Sequence, residues 1–143
     1  MATFTTHNRA ETVALGQRMA AALRPGDLVA FTGGLGAGKT AFCQGLAQGL
    51  GCTDPVSSPT FAIVNYYRGP QPLAHFDLYR IHSEDDLAAA GFYDYLDEGA
   101  IVAAEWSENL ADLLAAECPI TVAIQLVPGS PDTRDITITG VDL

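Results

Sequence analysis

Apolar residues recur along the chain with two alternating periods. Between residues 8 and 23, Ala10, Val13, Ala14, Met19, Ala20 and Leu23 fall near helical spacing behind Asn8, a good helix cap, and the tetrapeptide RPGD at 24–27 stops the pattern. Residues 28–32, LVAFT, form a short continuous apolar run of the buried-strand kind. In KTAFCQGLAQGL (39–50), Phe42, Leu46 and Leu50 return every four residues, as one face of a helix does. FAIVNYY (61–67) and LAHFDLY (73–79) read as two strands joined by the Gly/Pro turn RGPQP. SEDDLAAA (83–90) opens a helix with Ser83 as cap and three acids in the first turn, where the helix dipole favours them. AIVAAE (100–105) is a further buried strand and SENLADLLAAE (107–117) a further helix. ITVAIQLV (120–127) and RDITITG (134–140) are closing strands, and TFTT (3–6) is an opening one. Helices and strands interleave, which predicts an α/β fold with a central sheet covered on both faces.

Nothing repeats, and Gly and Pro punctuate the chain instead of pooling into a linker, so its 143 residues are expected to form one domain. With 48% apolar residues and only 17% charged, there is enough material for a real core. A net charge of −10 argues against unaided binding to DNA or RNA, because phosphate contacts need Lys and Arg. Arg68 and Arg80 leave room for a small basic face, and an acidic chain still works beside RNA by docking on another protein. Cys43, Cys52 and Cys118 show no CxxC spacing, so neither a disulfide framework nor a cysteine zinc site is expected. No apolar stretch reaches the roughly 18 to 20 residues that span a bilayer, and residues 1–20 lack a signal-type apolar core, so the expectation is a cytosolic protein without membrane contact.

The sharpest local feature is GGLGAGKT, residues 33–40, which holds the only lysine of the chain. Gly33, four residues, then Gly38, Lys39 and Thr40 complete the Walker A pattern, set between an expected strand and an expected helix as its mechanism requires. The loop through Gly33, Gly36, Ala37 and Gly38, running on into Lys39, Thr40 and Ala41, turns successive backbone N–H groups toward one phosphate group. The following helix adds the positive end of its dipole. Lys39 is placed to reach the β and γ phosphates, and the Thr40 hydroxyl to ligate Mg²⁺. ATP and Mg²⁺ are the expected cofactors.

A hydrolytic site needs further hard oxygen ligands and a group that orients water. Asp77, late in LAHFDLYR, and Glu105, directly after IVAA, are expected at the carboxyl ends of strands, where α/β sheets bind ligands. VSSPTF (56–61) brings several hydroxyls together, with Pro59 biasing Ser58 toward an extended shape, as in a switch segment. His75 alternates with Asp77 on one strand face and is expected to support the site from behind. Tyr79 and Trp106 flank the two carboxylates.

In order along the chain, AETVALGQRMA, GGLGAGKTAF, VSSPTFAIVNYY, LAHFDLYRI and AIVAAEW resemble the bacterial TsaE family, formerly YjeE, over roughly residues 10–107. RDITITG resembles that family's closing strand. The resemblance implies a P-loop NTPase-like three-layer sandwich with a mostly parallel or mixed sheet. It also implies a role in N6-threonylcarbamoyl modification of adenosine 37 in tRNAs that read ANN codons. The transfer itself belongs in that family to TsaD, in complex with TsaB, with TsaC making the donor; TsaE docks on TsaD–TsaB and hydrolyses ATP to support turnover. tRNA would then be met only through these partners. Carried over by position, Lys39 is the phosphate clamp, Thr40 a metal ligand, and Ser58 to Thr60 part of a switch. Asp77 belongs to the second switch, and Glu105 is a metal ligand or water-orienting base. Arg134 is a nucleotide contact in cis, and Thr6 and Thr12 are candidates near the adenine. The family usually carries an acid where this chain has Gly34.

Two rival readings need the same loop. A small-molecule P-loop kinase generally carries an arginine-rich lid, whereas Arg134 is the one arginine after Glu105. A module whose assembly depends on nucleotide without hydrolysis is the other. The guanine-binding NKxD motif is excluded, since its lysine would have to be a second one. The reading adopted is a weak ATPase stimulated by its partners.

Overall fold

The structure is a computed structural model that describes residues 1–34, 37–56 and 63–143, with Glu108 and Asn109 described in backbone only. The strands are β1 (Ala2–Thr6), β2 (Leu28–Thr32), β3 (Val64–Tyr67), β4 (Leu73–Asp77), β5 (Ile101–Glu105), β6 (Ile120–Val127) and β7 (Ser130–Thr139). The helices are α1 (Arg9–Ala20), α2 (Lys39–Gly49), α3 (Glu84–Ala89), α4 (Phe92–Asp97) and α5 (Ala111–Ala115), the last entered through a 3₁₀ turn at Ser107–Leu110. All seven strands join one sheet in the order β1-β7-β6-β2-β5-β4-β3. The four central strands β6, β2, β5 and β4 are parallel, and antiparallel neighbours close both edges. This is the α/β three-layer architecture of the P-loop NTPase kind that the sequence led us to expect.

Strand alternation sorts the core onto the two sheet faces. Val29, Phe31, Leu73, Ile101, Val122 and Ile124 pack with Leu15, Met19, Phe42 and Leu46 of α1 and α2. Leu28, Ala74, Phe76, Val102 and Ala104 pack on the opposite face with Leu87, Phe92, Leu110 and Leu114. On that face the Phe76 ring meets Phe92 and Tyr95 edge-on, at centroid separations of 5.4 and 5.7 Å.

α1 and α2 touch backbone to backbone. A Cβ at Gly45 would collide with the Val13 carbonyl, and one at Gly16 with the Phe42 carbonyl. The small residues that weaken the apolar periodicity of α2 are therefore what lets α1 lie directly on it. α1 starts where Asn8 Oδ1 accepts from Glu11 N at 2.9 Å while Glu11 Oε1 accepts from His7 N at 2.8 Å.

Three local features depart from the expectations. α4, with Gly91 and Gly99 in left-handed φ at its two ends, is a helix that the pattern did not announce, since its aromatics are weak helix formers. The stretch after Glu105 is not one helix: Trp106 takes φ 61° and Leu110 φ −128°, which breaks it into a 3₁₀ turn and a short α5. β7 begins at Ser130, four residues before Arg134, because the turn at Gly129 lets Ser130 pair with Val127. Pro131 is tolerated there since β1 pairs β7 only from Arg134 onward. Cys43 and Cys52 are buried but Cys118 is exposed. Among the described residues no helix is long and apolar enough to cross a membrane.

Candidate nucleotide-binding site

At the carboxyl end of the central strands lies a cavity of about 460 Å³, lined in part by Gly38, Lys39, Thr40, Asp77, Glu105 and Arg134. Such a volume lies within the usual range for small-ligand sites. Three of the chain's seven basic residues, Arg9, Lys39 and Arg134, line this one cavity, facing Asp77, Glu105 and Asp132. With three acids against three bases the lining is close to neutral, so in a chain with a net charge of −10 an anion meets less repulsion here than over the chain as a whole.

β2 delivers the chain to this end of the sheet, and Gly33 follows it at φ 133° with its Cα against β6, where a Cβ would run into the Ile124 carbonyl. Gly38 takes φ 104°, a left-handed value that only glycine adopts readily, and starts α2 without a side-chain cap. The first N–H groups of an eleven-residue helix therefore meet the cavity without a capping side chain, together with the positive end of its dipole. Lys39, only 6% exposed, folds back: Nζ donates to the Gly33 carbonyl at 3.1 Å and lies 4.9 Å from the centre of the Trp106 ring. Arg134 reaches in from β7, with Nε donating to the Ala37 carbonyl at 2.9 Å and Nη1 to Thr133 and Pro131 carbonyls.

The two carboxylates come from adjacent strands. Asp77 and Glu105 are direct partners in the β4–β5 register, the last residues of their strands. Asp77 is half-buried and accepts from Tyr79 N at 3.0 Å. Glu105 is 6% exposed, and its Oε2 lies 2.7 Å from Nε2 of the fully buried His75. Burial opposes protonation of His75. Cys43, 3.7 Å from the same Nε2, and the Glu105 carboxylate outweigh that cost and hold the imidazole pKa well above the usual histidine value. Beyond Glu105, Trp106 sits in the left-handed region, unusual for so bulky a residue, with the Tyr79 ring against its edge at 5.1 Å. Ser107 pins this turn to β2, donating to the Phe31 carbonyl at 2.8 Å.

Of the residues singled out from sequence, Ala37, Gly38, Lys39, Thr40, Ala41, Asp77, Glu105, Trp106 and Arg134 line the cavity, and Gly33 contributes its carbonyl to Lys39. Gly36, Ser58 and Thr60 lie outside the described residues, as does most of the expected switch segment. Thr12 lines the cavity, and Thr6 stands behind it, the two hydroxyls 2.8 Å apart. Arg68 and Arg80 fall beyond opposite ends of the β3–β4 hairpin, roughly 17 Å of strand apart, and form no common basic face. Sequence reasoning missed Arg9 and Asp132 as lining residues and read Asn8 only as a cap. Nothing local to those positions signals the role, which arises because the start of α1 and the β6–β7 hairpin converge on the loop.

The donor set suits a nucleotide with a divalent cation. Thr40, Asp77 and Glu105 supply hard oxygens on one side, and uncapped N–H groups with Lys39 supply positive charge on the other. Among the described residues no three His, Cys, Asp or Glu side chains gather into a cage of their own. A cation here would take part of its shell from ligand phosphates and water, as Mg²⁺ commonly does.

Comparison with known proteins meets this geometry. The family model described as "Threonylcarbamoyl adenosine biosynthesis protein TsaE" matches residues 6–136. The tRNA threonylcarbamoyladenosine biosynthesis protein TsaE of Bacillus subtilis (strain 168) is 39% identical over 137 residues, covering 95% of this chain and 84% of that protein. Its namesake from Streptomyces coelicolor is 37% identical over 133 residues, covering 89% and 88%. The crystal structure of Bacillus subtilis YdiB superposes with a TM-score of 0.81 at 33% identity, across 99% of this chain and 86% of that one. With a family match running from the end of β1 to the middle of β7, and relatives covered over 84% and 88% of their own length, the chain belongs to the TsaE family.

Proposed function

We propose that this protein binds ATP with Mg²⁺ in the cavity at the start of α2 and hydrolyses it slowly, in the service of threonylcarbamoyl modification of adenosine 37 of tRNA. The observation that carries the reading is the uncapped N-terminus of α2 behind Gly38, with Lys39 held over the same cavity that Asp77 and Glu105 line. The relatives' names supply the pathway. The partners are a TsaD–TsaB complex, which would hold the tRNA, in keeping with the acidic charge of this chain.

In this reading the backbone N–H groups of Lys39, Thr40 and Ala41 hold phosphate oxygens, and Lys39 leaves the Gly33 carbonyl to neutralise the terminal phosphates. Arg134, already bonded to the Ala37 carbonyl, steadies the loop and adds charge beside the nucleotide. Thr40 and Asp77 would hold the cation, which when bound would draw charge off the phosphates. The free oxygen of Glu105 orients the attacking water or shares the cation, and Trp106 shields that side of the cavity.

Lys39→Ala is expected to abolish ATP binding in calorimetry, and equal affinities in the two proteins would refute the site. Glu105→Ala is expected to keep ATP affinity within a few-fold while phosphate release in the presence of TsaD–TsaB falls by about 100-fold or more. Release at the unchanged rate would remove Glu105 from the chemistry. The appearance of a phosphorylated metabolite in place of free phosphate would favour a kinase instead.

A further inference from the structure

We propose that His75 is the positioning residue of this site: through one ring nitrogen it fixes the Glu105 carboxylate and ties it to Cys43 on the phosphate-binding helix. The inference rests on the reading that Glu105 acts in hydrolysis, and it goes beyond that reading by saying what aims the carboxylate and from where.

Strand parity places the ring. Leu73, His75 and Asp77 alternate onto the α1–α2 face, and in the β4–β5 register His75 pairs with Ala103 and Asp77 with Glu105. His75 thus lies one side-chain step behind the two carboxylates, on their side of the sheet. On the facing helix, Cys43 is four residues after Lys39, one turn farther into the protein. The imidazole fills the space between them with 0% exposure.

Its surroundings favour one direction of hydrogen bonding. Nδ1 is buried and has no hydrogen-bond partner among the described residues. A contact of 2.7 Å between Nε2 and Glu105 Oε2 needs a proton between them, since two lone pairs would repel at that distance; were it carried by Glu105, the neutral ring would bear its own proton on Nδ1 as a buried donor with nothing to meet it. A neutral ring with its proton on Nε2 leaves Nδ1 only an unmade acceptor. The imidazolium keeps the same Nε2–H. In either state Nε2 donates to Oε2, with the Cys43 sulfur a weaker contact at 3.7 Å. Glu105 then has one oxygen held and Oε1 left for the cavity that it lines. A carboxylate on three rotatable side-chain bonds is thereby held by a partner at one oxygen. Because the same nitrogen touches α2, any displacement of that helix would be felt at the carboxylate.

The test uses the whole chain, first without nucleotide. A buried N–H bonded to a carboxylate exchanges slowly with water, so one downfield imidazole proton is expected in the NMR spectrum from His75, while exposed His7 and His82 give none. Glu105→Ala should abolish or strongly shift that resonance and Lys39→Ala should leave it. A resonance that ignores Glu105→Ala overturns the proposal, whatever the protein does with ATP. With ATP and Mg²⁺, His75→Leu should lower kcat by about 10- to 100-fold and change KM by less than about threefold. His75→Gln, whose amide N–H can stand near the Nε2 position, should recover most of the loss. Wild-type kcat in folded His75→Leu, or no recovery in folded His75→Gln, refutes the positioning role. Absence of hydrolysis by the wild type would sink the ATPase reading while leaving the spectral test standing. Should His75→Leu fail to fold, the Glu105→Ala spectrum decides alone.

Discussion

The two faces of the sheet both bury apolar side chains, the α1–α2 face the larger share, and they are built in different ways. On one face, two helices of twelve and eleven residues press backbone against backbone through Gly16 and Gly45, and the layer ends in uncapped N–H groups and the cavity. On the other, α3, α4 and α5 are one to two turns each, and aromatic rings fill the space: Phe76, Phe92 and Tyr95 make edge contacts, and Tyr66 stacks on Tyr95 at 5.5 Å. Flexible side-chain packing tolerates small errors in position, whereas backbone contact does not. The face that must hold a loop to fractions of an ångström uses glycine, and the face that only needs to be covered uses rings. Stability and site geometry should therefore separate by face.

The hardest test of that separation removes a ring. Phe76 is fully buried on the aromatic face, so Phe76→Ala should cost about 3–5 kcal/mol in denaturant unfolding. ATP affinity of the remaining folded protein, measured by calorimetry, should stay within error. A parallel loss of affinity would show that the faces are coupled through the sheet.

Gly45→Ala attacks the other face. Its Cβ has nowhere to go but into the Val13 carbonyl, so α1 and α2 must part. An unfolding cost of about 1–3 kcal/mol is expected, smaller than for Phe76→Ala, yet accompanied by a clear fall in ATP affinity because α2 carries Lys39 and Thr40. Loss of stability with unchanged affinity would mean that the loop keeps its geometry independently of α1.

What could be read beforehand follows the same division. The Gly/Pro turn RGPQP announced β4, and the continuous apolar run before Glu105 announced β5, because a strand buried on both faces reads as an unbroken apolar stretch. α4 was invisible, since a six-residue helix of aromatics and acids between two glycines has no periodicity long enough to detect. The glycine loop was legible because its chemistry is local: backbone shape, an ammonium and a hydroxyl within eight residues. The pairing of Asp77 with Glu105 was not, as it depends on β4 and β5 being neighbours in the sheet. Arg134, 97 residues from its partner Ala37, was reachable only through family resemblance. The bond between His75 and Glu105 lay beyond both routes: strand parity placed His75 beside Asp77, but nothing in the order of residues says that Cys43 closes the imidazole from above.

The smallest effect is also the finest probe, because it compares two caps of the same chemistry on opposite faces. Asn8 accepts from Glu11 N at 2.9 Å at the start of α1, and Ser83 accepts from Asp86 N at 3.1 Å at the start of α3. Asn8→Ala and Ser83→Ala should each cost about 1 kcal/mol by the loss of one capping bond. Only Asn8 lines the cavity, so only Asn8→Ala should also weaken ATP binding, by a few-fold in calorimetry. If both caps lower stability and neither touches affinity, the start of α1 is scaffold and the cavity's working wall is confined to α2, the strand ends and Arg134. If Ser83→Ala changes affinity as well, the division of labour between the faces fails at its most sensitive point, since α3 contributes no residue to the cavity lining.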